Sequence, residues 1–206
     1  MADQVCTLAQ VKARLTIADA TDDALIGELI DEVTDWLQDV TKRKLVPEAG
    51  GQYLFDTSAG SVINVPRGIR AISLLAVGAR DQGDTIGSWQ AAATIPAAEF
   101  VLRPSPVNRR PGWPAYQVLI LGTTGRLGNY LNGAFIEGDY GFATTPPAIQ
   151  GVAIDAVVAA YRTRKAGASN VIGSERSTVV PWSSYFADGS PQRATVDLYR
   201  GVQGIG

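Results

Sequence analysis

The chain has 206 residues, 46% of them hydrophobic and 18% charged, with 18 Lys+Arg against 20 Asp+Glu and a formal net charge of -2. It has no His and one Cys, which excludes an imidazole base, a Ser-His-Asp or Cys-His arrangement, a His or Cys-based zinc site and an intrachain disulfide. The near-neutral balance argues against a protein that grips nucleic-acid backbone over a broad surface.

The start, MADQVCTLAQ, has no basic region followed by an apolar one, so no secretory signal is expected. Apolar runs such as AISLLAV at 71–77 fall far short of the roughly 20 residues of a membrane-spanning helix. The expectation is a soluble protein of a reducing cytoplasm, with no membrane partner. Thr7 and Gln10 have capping-box spacing, and Leu8, Val11 and Leu15 follow on one helical face. After the polar turn ADATDD, Thr21 is the expected N-cap of a second helix over about 21–41, with Asp22 and Asp23 in its first turn. Its apolar stripe is Leu25, Ile26, Leu29, Ile30, Val33, Trp36, Leu37 and Val40. Glu28, Asp31, Glu32, Asp35 and Asp39 occupy the other side, and Lys42, Arg43 and Lys44 suit the negative end of the helix dipole.

Between 52 and 142 the apolar residues come in short runs broken by Gly and Pro: QYLF at 52–55, VINV at 62–65, IRAISLLAVGA at 69–79, EFVLR at 99–103, YQVLIL at 116–121 and AFIEGDY at 134–140. These read as strands, with turns at Asp81–Asp84, Pro104–Pro114 and Asn132-Gly133. No amphipathic helix separates them, so the module is expected to be antiparallel. The stretch 90–98 has room for one helical turn, limited by Pro96. A third helix opens at Pro146-Pro147. Its face is Ile149, Val152, Ala153, Ala156, Val157, Ala160 and Tyr161, its last turn Arg162, Arg164 and Lys165, its expected cap Gly167. This Ala-rich face is expected to pack on the second helix, with Trp36 as the large partner. The Ser/Gly-rich tail, 168–206, carries Trp182, Tyr185, Phe186 and Tyr199. Only about 191–201 reads as helical, with Ser190 as N-cap and Pro191 at the first position. The tail either wraps its own domain or is an arm that orders on a neighbour, burying its aromatics there.

Several candidate sites follow. VLILGTTGRLG at 118–128 places Gly122, Gly125 and Gly128 after a hydrophobic strand, as in a phosphate-binding turn. No helix pattern follows it, and a Gly-rich strand connection is the plainer reading. The carboxylates of the second helix lack a compact cation-binding loop and read first as a solvated face. Cys6 has no basic neighbour to activate it. Lys42, Arg43 and Lys44 are a helix end first and a phosphate or partner contact second. Arg109 and Arg110, with Trp113, lie in the loop SPVNRRPGWP and could form an exposed contact tip. No cofactor, metal ligand set or catalytic residue is identified, and no enzyme activity is expected.

The order of parts carries a family resemblance. TLAQVKARLTIADATDDALIGELIDEVTDWLQDVTKRKL at 7–45 resembles the N-terminus of tailed-phage head–tail connector proteins, also called head-completion adaptors. GDYGFATTPPAIQGVAIDAVVAAYRTRKAG at 138–167 is similar to the family's second signature, and DLYRG at 197–201 to its short terminal element. The resemblance covers roughly half the chain. It implies a structural virion protein at the neck, made in a bacterial host, forming a ring of about twelve copies. The ring would sit between the portal protein and the stopper or tail-completion protein, and double-stranded DNA would pass without specific binding. On that reading Glu28, Asp31, Glu32, Asp35 and Asp39 face the channel, because an acidic lumen repels phosphate. Trp182, Tyr185, Phe186, Tyr199 and Arg200 would contact the portal or an adjacent subunit.

The expected fold is α+β: N-terminal helices of a small bundle (1–47), an inserted antiparallel β-module (48–142), a third bundle helix (143–167) and an extended C-terminal arm (168–206). Two rival functions remain open: a nucleotide-cofactor-binding enzyme using the glycines at 122–128, and a β-module that binds a host protein or glycan.

Overall fold

Helix α1 (Leu8–Leu15) begins where the capping box puts it. In the computed structural model, the Gln10 N–H donates to Thr7 Oγ1 at 3.3 Å, and the Thr7 N–H donates to Gln10 Oε1 at 2.8 Å. The structure describes residues 4–58, 60–78, 94–105, 109–121, 127, 130–169 and 186–200. Helix α2 (Asp23–Thr41) starts later than its expected Thr21 cap. Thr21 instead turns its N–H back to Asp19 Oδ1 at 3.0 Å. Asp22 takes the N-cap position, but its carboxylate makes no capping bond, because Tyr161 and Lys165 engage it.

The apolar stripe of α2 is buried as its spacing predicts: Ile26, Leu29, Ile30, Val33 and Leu37 are all at or below 1% exposure. Fully burying each such side chain is worth about 1.5–3 kcal/mol. Helix α3 (Pro147–Ser169) packs on α2 and α1 through Ile149, Ala153, Ala156, Val157 and Ala160, and the small alanines permit close approach. It runs past the expected Gly167 cap. Helix α4 (Pro191–Leu198) has Ser190 as its N-cap, accepting from the Arg193 N–H at 3.1 Å, and Pro191 in its first turn. It packs against both α3 and α2. The described part of the tail is thus not extended: it returns to the helices of its own chain. These helices belong to one unit, built from residues 1–45 and 145–206.

The other unit, 46–144, is a five-stranded antiparallel sheet. Its strands are β1 (Glu48–Thr57), β2 (Val62–Val77), β3 (Phe100–Arg103), β4 (Ala115–Ile120) and β5 (Tyr130–Tyr140), in the order β1-β5-β2-β4-β3. The runs VINV and IRAISLLAV are one long strand, not two. Val62–Asn64 pair with β4 and Ile69–Val77 pair with β5. The register breaks between Asn64 and Ile69, and Gly68 there has φ +80°. The expected Asn132-Gly133 turn is absent. β5 runs through it, with a register break at this point: Phe55 pairs with Ala134 and Thr57 with Tyr130, so the irregularity falls on the β5 side where the turn was expected. The local turn preference yields to inter-strand pairing. The single helical turn is a 3-10 turn, Ala97–Glu99, which Pro96 starts rather than limits. One sheet face carries the core of this unit, with Ile63, Val65, Leu75, Val118, Ile136 and Tyr140 all at or below 1% exposure.

Candidate interaction surfaces

The five carboxylates of α2 are all exposed. At about 100° per residue they centre opposite the buried stripe. Three of them have partners. Arg164 Nη2 donates to Glu32 Oε2 at 2.9 Å, the Gln4 side-chain amide donates to Asp31 Oδ1 at 2.8 Å, and Lys42 pairs with Asp39. Glu28 and Asp35 have no ion pair among the described residues. The stripe is therefore partly neutralised at Glu32 and Asp39 and bare between them.

The start of α2 is tied to its neighbours. Lys12 on α1 pairs with Asp23 at 2.6 Å. Tyr161 Oη donates to Asp22 Oδ2 at 2.5 Å, and Lys165 Nζ lies 2.8 Å from Oδ1. The bonds from Lys165 and Tyr161 hold the Asp22 carboxyl below its usual range, and the same bonds raise Lys165 and Tyr161 above theirs. This cluster closes the helical unit. Beside it, Gln10, Ala13, Arg14, Gly151, Ile154 and Asp155 line an open groove between α1 and α3, crossed by an Arg14–Asp155 pair at 3.2 Å.

The predicted contact residues of the tail divide. Trp182 and Tyr185 lie outside the described residues. Phe186 is 4% exposed, and its ring centroid is 4.2 Å from that of Trp36. Trp36, expected to be the large partner of α3, thus meets the tail. The Arg200 carbonyl accepts from Arg43 Nη2 at 3.2 Å, and Arg200 Nε donates to the Val40 carbonyl at 3.4 Å. Tyr199 is half-buried at the end of α4, its N–H bonded to the Val196 carbonyl. The basic end of α2, read from the sequence as a helix end first and a phosphate or partner contact second, is where the described part of the tail is fastened.

The loop residues are anchored on one side. Trp113 is half-buried, edge-on to Phe142 with centroids 5.1 Å apart, and Arg110 lies over its outer face at 5.5 Å. Arg109 is half-buried and Arg110 exposed. Trp113 fixes the loop and Arg110 is what the loop presents. Cys6 is 1% exposed, and burial pushes its thiol up to about 12, so it is protonated and shielded. Gly122, Gly125 and Gly128 lie outside the described residues. β4 before them and β5 after them lie on either side of β2 in one sheet, each antiparallel to it. A phosphate-binding turn needs a strand-to-helix step, and among the described residues the next element is a strand.

Sequence reading missed the outer face of the β3 edge. Val101, 40% exposed, and Leu121, 57% exposed, are two of the large exposed hydrophobics among the described residues. The alternation within EFVLR was the available signal: Phe100 and Leu102 pack toward the core and Val101 does not. Among the described residues, no group of three or more acidic or Cys side chains is placed to hold a metal, and no helix is long and apolar enough to cross a membrane.

Charged stripes, a stacked arginine and exposed aliphatics are the chemistry of contact between macromolecules. Residues 6–89 match the model of the phage gp6-like head-tail connector protein family. The resemblance to head–tail connectors holds over those residues, which include α1, α2, β1 and β2. No curated protein sequence matches the chain. Its fold is similar to a chain in the neck of an empty GTA particle computed with C6 symmetry, at 14% identity and TM-score 0.57, covering 97% of this chain and 91% of that one. It is also similar to a chain in the virion of a native gene transfer agent particle, at 13% identity and TM-score 0.53, with the same coverage. At such identities the likeness is one of fold.

Proposed function

We propose that this protein is a structural virion component of the head–tail junction, a connector subunit that fits between neighbours and transforms no substrate. It assembles into a ring of about twelve copies by a heterologous contact that closes. The portal protein lies on one side and the stopper or tail-completion protein on the other, and double-stranded DNA passes through the centre. The observation that carries this reading is the connector-family match over 6–89. The fold likeness along 97% of the chain to a neck protein supports it, and a ring of twelve is compatible with the six-fold symmetry of that neck. The exposed acidic stripe of α2 supports a lumen that does not hold DNA.

The tail is the portal-facing element in this reading. Phe186 is spent on Trp36, so Trp182 and Tyr185 are the anchors to test. Replacing both with Ala should leave thermal unfolding unchanged and weaken attachment to portal-containing heads by about tenfold or more. Attachment at wild-type strength would refute the arm. Failure of the unmodified protein to join such heads at all would refute the connector reading.

A further inference from the structure

Two features of the helical unit are not explained by its own packing. The first is Leu198, the last residue of α4, which is 78% exposed. Val196, two residues earlier, already supplies that helix's buried anchor. The second is the groove between α1 and α3. Ala13 and Gly151 in its wall are exposed, Ile154 is half-buried, and Gln10, Arg14 and Asp155 complete the lining. It offers about 510 Å³, more than a lone side chain fills. Gly151 lies inside α3, where a glycine lowers helix stability. A Cβ there would meet nothing within 4 Å, so no contact in this chain requires the glycine.

The two features match each other. Leu198 is an aliphatic knob and the groove an open slot with an apolar wall, so each would cover what the other leaves to water. Their borders match in charge as well. At the groove, Arg14 Nη2 lies 3.2 Å from Asp155 Oδ1. Beside Leu198, Arg200 Nη1 lies 3.5 Å from Asp197 Oδ1, and Arg193 Nε holds the same carboxylate at 3.2 Å. With Asp197 set next to Arg14 and Arg200 next to Asp155, the four charges alternate in sign. Both pairs stay made, and no lone charge is buried. The reversed orientation would set like against like. Knob and groove share no residue. A copy that fills its neighbour's groove therefore keeps its own groove open for the next copy, which is the heterologous contact a ring requires.

We infer that Leu198 of each copy docks in the α1–α3 groove of the next, and that this contact joins successive subunits of the ring. The inference rests on the connector reading and names a surface by which the ring closes. Gly151 keeps the slot open for the last turn of α4, because a side chain there would occupy the space Leu198 takes. The contact is small, so copies gathered on a head, at high effective concentration, are the setting in which it is filled.

Crosslinking on assembled particles tests the contact. In the double variant Ala13→Cys with Leu198→Cys, each copy carries both partners. Subunits bound to portal-containing heads should then yield, with a short bismaleimide, a ladder of products larger than a dimer. Either substitution alone should give no ladder. Cys6 is 1% exposed, with its thiol pushed up to about 12, and does not react. Head-bound subunits that give no product, or a dimer only, would overturn the inference. Two further variants probe the dock without crosslinking. Leu198→Glu changes an exposed side chain and Gly151→Trp fills open space, so neither should lower the thermal midpoint of the isolated chain. Each should reduce the protein retained on heads about tenfold or more. Retention at the wild-type level by either would also overturn the dock while leaving the connector reading in place. Failure of the unmodified protein to join heads at all would overturn the connector reading, and this inference with it.

Discussion

Gly68 shows how one residue shapes the sheet. With φ +80° it lies where a side chain is disfavoured, and a Cβ there would sit 2.6 Å from Pro114 Cγ and 2.9 Å from a Tyr116 ring carbon. It stands where β2 exchanges β4 for β5 as its partner. Gly68→Ala should therefore cost about 2–4 kcal/mol, from left-handed strain and overpacking together. Gly50, at φ +63° with nothing within 4 Å of its Cβ position, isolates the first of these effects. Gly50→Ala should cost only about 1–2 kcal/mol. Urea midpoints of the two variants check the difference, and equal losses would show that the Pro114 contact is easily relieved. In the sequence this glycine reads as a gap between two strands. Its role as a bend within one strand depends on which partners lie on either side, which no local pattern carries.

At the scale of elements, what was legible followed from periodicity and caps. The α2 stripe, the α3 face, the Thr7 box and the Ser190 cap all appear where spacing places them. What was not legible was decided by tertiary partners. Asp22 and Asp23 read as dipole-matching residues of a first turn, yet Asp22 bonds Tyr161 and Lys165, 139 and 143 positions along the chain. Its acidity makes that bond testable. A carboxyl held below its unfolded value contributes stability that is present above the unfolded value, about 3.9, and is lost as pH falls through the folded value. Lys165 and Tyr161 are raised, so their share is present below about 10 and lost as pH climbs past it. Asp22→Asn should flatten both flanks of a stability–pH profile: less loss on going from pH 5 toward 2, and less on going above 10. Because the cluster lies near solvent, raising the salt concentration should shrink the difference between variant and wild type. A profile unchanged by the substitution would mean that Asp22 is not what titrates.

The whole chain combines two units of different character. The helical one is made of both ends of the chain, 1–45 and 145–206, and the sheet of the middle, 46–144. The family match reaches from the first half of the helical unit into the sheet, ending at residue 89. Candidate contact residues were legible as types but not as surfaces: Phe186 is internal, Trp113 anchors a loop, and the α2 carboxylates stay exposed. That last set yields a prediction about passage through the assembled particle. Neutralising Glu32 or Asp39 would strand Arg164 or Lys42, whereas Glu28, Asp31 and Asp35 leave no cation behind. The triple variant Glu28→Gln, Asp31→Asn, Asp35→Asn touches only exposed side chains and should change stability by no more than about 0.5 kcal/mol per site. If the stripe lines a channel, subunits should still join portal-containing heads, while DNA release slows because phosphate is no longer repelled. The defect should be largest at low salt and fade as the Debye length drops below about 10 Å. Assembly and DNA release can be scored on the same particles. Loss of both to the same degree would move the stripe out of the lumen and into a subunit interface.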